Sequence, residues 1–301
     1  AGHILGSTCI LLELTEDSRQ RRVLFSGDLG LDRRPILRDP DRAPEAEIVV
    51  METTYGDRQH KQLEPSIEEL HEVINTTVSR GGNVIIPTFA LERAQEILFY
   101  LHAGKQDGIL PDFLQVFLDS PMAISATEIF RRHPECYDEH TASLFASGHD
   151  PFQFSGLHFT RETADSMAIN QIHSGAVIMA GSGMCTGGRI RHHLRQHLGR
   201  EHSSIVFVGY AAHGTLARRI VDGARSVSIF GDEYPVRAAI HTIGGFSAHA
   251  GQTELLEWHR QTGTPEHTFL VHGEKDSMTA FSHLLKGTRV VMPELHEAFD
   301  L

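Results

Sequence analysis

The chain is expected to be an α/β protein, with parallel sheet and helices on its faces, and three observations lead there. Short continuous apolar runs recur, at 48–51, 84–86, 176–180 and 204–208, as in strands buried on both faces. Helical patterns stand between them at β-α-β spacing. Most of these runs end in acidic, histidine-bearing or glycine-rich residues, and open parallel sheets bind ligands at the carboxyl ends of their strands.

Taken in order, residues 1–56 read as strands. Residues 4–14 alternate loosely and the charged stretch 15–22 reads as a hairpin loop. A strand at 23–25 ends in Ser26-Gly-Asp-Leu-Gly30, and the run 48–51 ends at Glu52-Thr-Thr-Tyr-Gly56. Residues 66–80 form an amphipathic helix stopped by Gly81-Gly82. A strand at 84–86 leads through Pro87-Thr-Phe-Ala90 to a helix over 94–102. Next come a strand at 113–118, the loop Asp119-Ser-Pro-Met122 and a helix over 123–132.

Residues 133–172 are polar and rich in histidine, and read as an irregular loop with helical pieces. The strand 176–180 runs into Gly181-Ser-Gly-Met-Cys-Thr-Gly-Gly188 and a helix from Arg189. The strand 204–208 similarly runs into Gly209-Tyr-Ala-Ala-His-Gly-Thr215 and a helix from Leu216. Segments 227–229 and 236–240, split by Gly231-Asp-Glu, suggest a hairpin. A strand at 240–243 then leads into Phe246-Ser-Ala-His249 and a helix bearing Leu255, Leu256 and Trp258. Finally the apolar strand 268–271 ends at His272-Gly-Glu274.

Composition bounds the function. At 301 residues there is material for one large domain or two ordinary ones, and 40% apolar residues are enough for a core. A net charge of -12 argues against broad, non-specific nucleic-acid binding, although it leaves room for a local basic groove. No apolar run approaches the roughly 20 residues of a membrane span. The three unclustered cysteines, Cys9, Cys136 and Cys185, predict neither a disulfide framework nor a thiolate zinc site. With no signal peptide in view, a reducing cytoplasm is the expected location.

The chemistry concentrates in His3, Asp28, Glu52, His249 and His272, each at a strand end or strand-helix junction. A lone carboxylate there often caps a turn, and a lone histidine is more often structural. Several together suit divalent metals, zinc above all, with a carboxylate or water bridging a pair of ions. Two ions roughly 3.5–4 Å apart would clamp the attacking and leaving oxygens of a phosphodiester. A remaining carboxylate–imidazole pair would serve as general acid.

The glycine-rich loop 181–188 reads either as an anion cradle or as a tight strand-helix turn, and lacks the lysine of a Walker A loop. In the basic run 189–202, His193 and His197 share a helix face with no third ligand nearby, so a solvated or phosphate-facing stripe is expected before a metal pair.

In order along the chain, the segments Ala1-Gly-His-Ile-Leu-Gly6, Ser26-Gly-Asp-Leu-Gly30, Glu52-Thr-Thr-Tyr-Gly56, Pro87-Thr-Phe-Ala90, Asp119-Ser-Pro-Met122, Gly181-Ser-Gly-Met184, Gly209-Tyr210, Phe246-Ser-Ala-His249 and Leu270-Val-His-Gly273 resemble the motifs of β-CASP nucleases of the metallo-β-lactamase fold. The resemblance implies an αββα metallo-β-lactamase domain, here partial, formed by 1–56 and 239–301, with a β-CASP domain inserted at 57–238. It implies zinc ligation by His3, Asp28 and His272, with Asp28 bridging two zinc ions, and leaving-group protonation by His249 with Glu52. It also implies substrate contacts at Ser182, Gly183, Met184, Gly214 and Thr215.

The expected activity is zinc-dependent hydrolysis of RNA, internally or from the 5′ end. RNA is the expected partner; a homodimer is left open. The family's H-x-H-x-D-H signature is absent and is expected upstream of Ala1, so an N-terminally truncated chain with weakened zinc binding and cleavage is expected. A DNA-processing member is the nearest alternative, although the resemblance associates His272 with RNA. A non-catalytic scaffold subunit is the other, and a small-molecule metallo-hydrolase is disfavoured by the large insertion.

Overall fold

The computed structural model describes residues 1–300, which divide into two compact units: residues 1–60 with the segment from 248 onward, and residues 61–247. The strands and helices run β1 (Ile10–Glu16), β2 (Arg19–Phe25), β3 (Ile48–Glu52), α1 (Leu63–Ser79), β4 (Val84–Pro87), α2 (Arg93–Gln106), β5 (Gln115–Leu118) and α3 (Pro121–Arg132). They continue with α4 (Glu139–Ala146), β6 (Leu157–Phe159), α5 (Thr163–Ala168), β7 (Ala176–Ala180), α6 (Ile190–His197), β8 (Ser204–Val208) and α7 (Leu216–Val221). The last are β9 (Ser226–Ile229), β10 (Asp232–Pro235), β11 (Ala239–Ile243), α8 (Gln252–Gln261), β12 (His267–Val271), α9 (Lys275–Ser282) and β13 (Arg289–Val291).

The first unit is built on a sheet of order β1-β2-β3-β12-β13. Only β1 and β2 pair antiparallel; β2, β3, β12 and β13 run parallel. The β1–β2 turn is tighter than the expected 15–22 loop. Asp17 and Ser18, with φ of 47° and 67°, form a two-residue turn, and pairing persists to Glu16 opposite Arg19. Two positive φ values match the right-handed twist of a hairpin, and Asp at the first position tolerates that region. One sheet face carries Leu24, Val49, Met51 and Leu270 against Leu255 and Trp258 of α8 and Phe281 of α9. Each such fully buried large side chain contributes about 1.5–3 kcal/mol. The three-residue spacing of Leu255 and Trp258 turns both inward, as the helical pattern requires.

The second unit is built on a parallel sheet of order β11-β8-β4-β7-β5-β6. Its central strands β4, β7 and β8 are buried at every position, matching their continuous apolar sequence. Helix α1 turns Leu70, Val73 and Ile74 inward, and α3 starts with Ser120 accepting from the Ala123 amide and Pro121 in the first turn.

Two sequence expectations are corrected here. The hairpin partner of β9 is β10, not 236–240; β11 instead pairs with β8 from Ala239 to Ile243. The stretch 133–172 holds an edge strand, β6, as well as helices. The units meet the chain at 60/61 and 247/248, so β11, grouped with the returning segment in the sequence reading, is in the second unit's sheet. No helix among the described residues is long and apolar enough to cross a membrane.

Candidate metal centre

Because β2, β3 and β12 are parallel neighbours, the residues that follow them emerge at one edge of the sheet. Asp28 lies in the turn after β2, Glu52 ends β3, and His272 follows β12. His3 is brought to the same edge by the Gly2–Leu29 bridge, by the Gly30 amide donating to Ala1 O, and by its own amide donating to Ser7 Oγ. His249 arrives in the turn before α8, fixed by the Ala250 amide on Leu29 O. The residues that sequence spacing could only suspect therefore converge.

Asp28 lies between two imidazoles, with Oδ2 3.8 Å from His3 Nε2 and Oδ1 3.3 Å from His272 Nδ1. His249 lies 4.2 Å from the His3 ring and 5.6 Å from the His272 ring, centroid to centroid. Two overlapping groups result, His3/Asp28/His249 and Glu52/His249/His272, each with ligand atoms within 4.8 Å of one another. Imidazole nitrogens and carboxylate oxygens this close, with one oxygen of Asp28 toward His3 and the other toward His272, suit a borderline divalent ion. Burial first, and the neighbouring His249 second, hold the His3 imidazole below its ordinary pKa, and the neutral ring is the form that ligates metal.

Glu52 differs from Asp28. Its side chain is 1% exposed, whereas that of Asp28 is 40% exposed. Burial pushes the Glu52 carboxyl up, yet hydrogen bonds from His249, Thr54 and Leu29 outweigh it, and the net shift is downward. The Leu29 amide donates to Oε1 at 2.7 Å and the Thr54 amide to Oε2 at 3.1 Å. His249 Nδ1 faces Oε1 at 2.9 Å. An ionised Glu52 makes Nδ1 the donor, which leaves Nε2 of His249 for proton transfer or ligation.

Three residues near this edge had no assigned role in the sequence reading. Thr54 donates to His272 O at 3.0 Å and its hydroxyl meets His272 Nδ1 at 3.2 Å. That clamp matters because His272 has φ of 48°, a left-handed backbone that costs a non-glycine residue about 1 kcal/mol or more. Tyr55 and His60 stack edge-on at 4.2 Å, and burial drives the His60 pKa down to about 4. Thr54 and Tyr55 lie inside a quoted motif; His60 carried no sequence signal.

In the second unit, the loop 181–188 folds on itself. The Ser182 amide donates to Gly187 O, the Cys185 amide to Ser182 O and the Ile190 amide to Gly181 O. Gly188, at φ of 78°, packs where any Cβ would strike the Gly181 carbonyl. Met184 joins this loop to the next: its sulfur accepts from the Ala212 amide at 3.3 Å. Gly214 turns the chain at φ of 78°, and the Thr215 hydroxyl caps α7 by accepting from the Arg218 amide. Behind the loop, buried Asp119 accepts from Arg189 Nη1 at 2.8 Å, Thr160 at 2.8 Å and Ser166 at 2.6 Å, with His193 Nε2 at 2.7 Å. His197 instead faces Ser203 Oγ at 3.3 Å, so His193 and His197 serve separate partners and are not a metal pair.

A first α/β unit with histidines and carboxylates gathered at its strand ends, interrupted by a second parallel-sheet unit, defines the metallo-β-lactamase fold with an insertion. A Beta-Casp domain matches residues 94–220, and a Zn-dependent metallo-hydrolase RNA specificity domain matches residues 233–293. The chain belongs to the β-CASP family of metallo-β-lactamase-fold proteins.

Among curated proteins, a Thermus thermophilus protein named as a ribonuclease is 41% identical over 286 residues, 95% of this chain and 64% of that protein. The transcription termination factor FttA of Pyrococcus abyssi is 33% identical over 285 residues, 91% of this chain and 43% of its own. FttA of Thermococcus kodakarensis is 35% identical over 289 residues, with the same coverage of 91% and 43%. The chain thus spans less than two thirds of the length of these relatives.

Proposed function

We propose that the protein is a metal-dependent ribonuclease that uses two zinc ions. The observation that carries this reading is the Glu52–His249 pair, 2.9 Å apart, beside Asp28 with one oxygen toward His3 and the other toward His272. His3, Asp28 and His272 would hold the metal, which when bound supplies charge stabilisation to the phosphoryl oxygens and acidifies the attacking water. Glu52, kept ionised by three hydrogen-bond donors, fixes the orientation of the His249 ring through Nδ1. His249 then delivers a proton from Nε2 to the leaving ribose oxygen. Ser182, Gly183, Met184, Gly214 and Thr215 sit on loops at the carboxyl ends of β7 and β8, where the proposed RNA strand runs.

RNA rather than DNA is favoured by the description of the domain matched at 233–293 and by the name of the Thermus thermophilus relative. His249→Ala in the natural full-length protein should lower RNA cleavage by roughly 10²–10⁴-fold with zinc content unchanged. Loss of zinc with the activity would make His249 a ligand instead, and unaltered cleavage would remove it from the mechanism. A circular RNA, which only internal cleavage can open, separates endonuclease from 5′-to-3′ exonuclease action.

A further inference from the structure

The second unit holds a cavity of about 720 Å³, lined in part by Ser182 of the proposed RNA path. Its size falls within the roughly 300–1,000 Å³ typical of ligand pockets. It opens at the carboxyl ends of β4, β5 and β7, walled by the loops 88–90, 119–122 and 181–189. Two of its lining side chains are large, apolar and unusually bare: Phe89 is 48% exposed and Met122 74%. An aromatic ring and a polarizable thioether left open in this way suit a flat, soft partner. The ring is backed from one side by Gly183, where a Cβ would lie only 3.0 Å from it. A side chain there would push the Phe89 ring from its place.

The charge of the pocket narrows the ligand. Arg189 is its only basic lining residue, and that guanidinium is already committed to Asp119 Oδ1, Thr160 O and Arg161 O, each at 2.8 Å. The amides of Ser182 and Cys185 donate within their own loop, as Gly187 N does to Ser182 Oγ. A phosphate would therefore find the guanidinium and these three amides engaged elsewhere. By contrast, the Ser182 and Thr186 hydroxyls stand 3.4 Å apart, and Ser182 Oγ reaches Gly187 O at 3.3 Å. These contacts are long for O–H···O bonds, so both hydroxyls are free to turn toward the edge of a heterocycle.

We infer that this cavity receives one unstacked nucleobase of a single-stranded RNA, laid against Phe89 and Met122 and read at its edge by Ser182 and Thr186. The inference deepens the ribonuclease reading and rests on it for the identity of the strand. Aromatic stacking tolerates any base, so the pocket would hold the strand in place with little sequence preference.

The test titrates the full chain with each of the four ribonucleoside 5′-monophosphates and with ribose 5-phosphate, by calorimetry or ligand-detected NMR. Nucleotides should bind at least about tenfold more tightly than ribose 5-phosphate, and Phe89→Ala should remove that difference while Phe89→Trp preserves it. Ribose 5-phosphate binding equal to that of the nucleotides would overturn the base pocket, as would nucleotide binding indifferent to Phe89→Ala. Cleavage of an RNA octamer by the full-length protein is scored separately. Phe89-dependent nucleotide binding without any RNA cleavage would sink the ribonuclease reading and leave the pocket standing. RNA cleavage with no Phe89-dependent binding would do the reverse.

Discussion

Each unit carries a strand-end carboxylate paired with an imidazole, and the two pairs have opposite characters. Glu52 and His249 of the first unit are 2.9 Å apart; Asp119 and His193 of the second are 2.7 Å apart. Both carboxylates are sealed, at 1% and 0% exposure. The imidazoles differ: His249 is 21% exposed, His193 only 2%. His249 also has other potential ligand groups around it, His3, Asp28 and His272, whereas Asp119 is enclosed by Arg189, Thr160 and Ser166. On the proposed mechanism, a carboxylate–imidazole pair is thus proton machinery in one place and a structural node in the other. What decides is whether the imidazole can reach anything outside the pair.

The largest effect that would break this contrast is on turnover. Glu52→Gln keeps the shape but removes the charge that orients His249, and should lower cleavage by roughly 10²–10³-fold while thermal stability changes little. The measurement is single-turnover cleavage of a labelled RNA beside a melting curve. A large drop in melting temperature with little kinetic loss would make Glu52–His249 structural, like its counterpart.

Asp119→Ala should do the opposite. It leaves the Arg189 cation and the His193 ring without their buried partner, which typically costs about 3–5 kcal/mol. Denaturant unfolding should show that loss, and Asp119→Asn, which keeps the shape and some hydrogen bonds, should show less. Metal content of the folded fraction should stay at the level of the unaltered protein, and a fall in that content would count against Asp119 as a purely structural node. Thr54→Val is a smaller test on the other side. Losing the hydroxyl that clamps His272 in its left-handed backbone should reduce metal affinity on the order of tenfold, as loss of groups that orient ligands does, with the fold intact.

The sequence showed the first pair more clearly than the second, for physical reasons. Glu52 and His272 stand at the ends of apolar strands buried along most of their length, and Asp28 comes just after the apolar end of β2, so their positions at a sheet edge could be read from periodicity alone. Their convergence could not, because it depends on β12 pairing with β3 more than 200 residues earlier. Asp119 also follows a strand, in the segment Asp119-Ser-Pro-Met122, but its partners Thr160, Ser166 and Arg189 come from distant segments of the chain. Strand β6 escaped notice because an edge strand of three partly exposed residues has no apolar run to mark it. The hairpin at 227–240 was misread because Val236 and Ile240 look like a continuation of β9's alternation, while the turn Phe230-Gly231 selects Asp232–Pro235 as its partner strand. His193 and His197 share a helix face, as their spacing said, but that face is buried and not the solvated stripe expected, and spacing carries no information about which partner each ring meets.

Acid titration sharpens the comparison with the smallest effect. Burial works against the Asp119 charge, but hydrogen bonds from His193, Ser166 and Thr160 hold its pKa at about 2. An unfolded aspartate titrates near pH ~3.9. Its contribution is therefore complete above that value and is lost as pH falls from there toward 2. Buried histidines act earlier. Burial lowers His259 of the first unit to about 4 and His197 of the second to about 3. Both are held neutral in the fold while the unfolded rings protonate near ~6.5, so their stabilisation is present above that pH and declines as pH falls toward the folded values. Each unit should thus weaken between about pH 6.5 and 4 by on the order of 2–3 kcal/mol for each such histidine, with His60 adding to His259 in the first unit. Both units should have a further loss below about pH 4, from Glu52 in the first and Asp119 in the second, and Asp119→Asn should reduce that lower limb while leaving the upper one unchanged. Unfolding followed at fixed denaturant from pH 8 to pH 2 reads both limbs. A lower limb that Asp119→Asn leaves unchanged in size would mean that carboxylates other than Asp119 carry the acid sensitivity, and the sealed pair would lose its standing as the second unit's node.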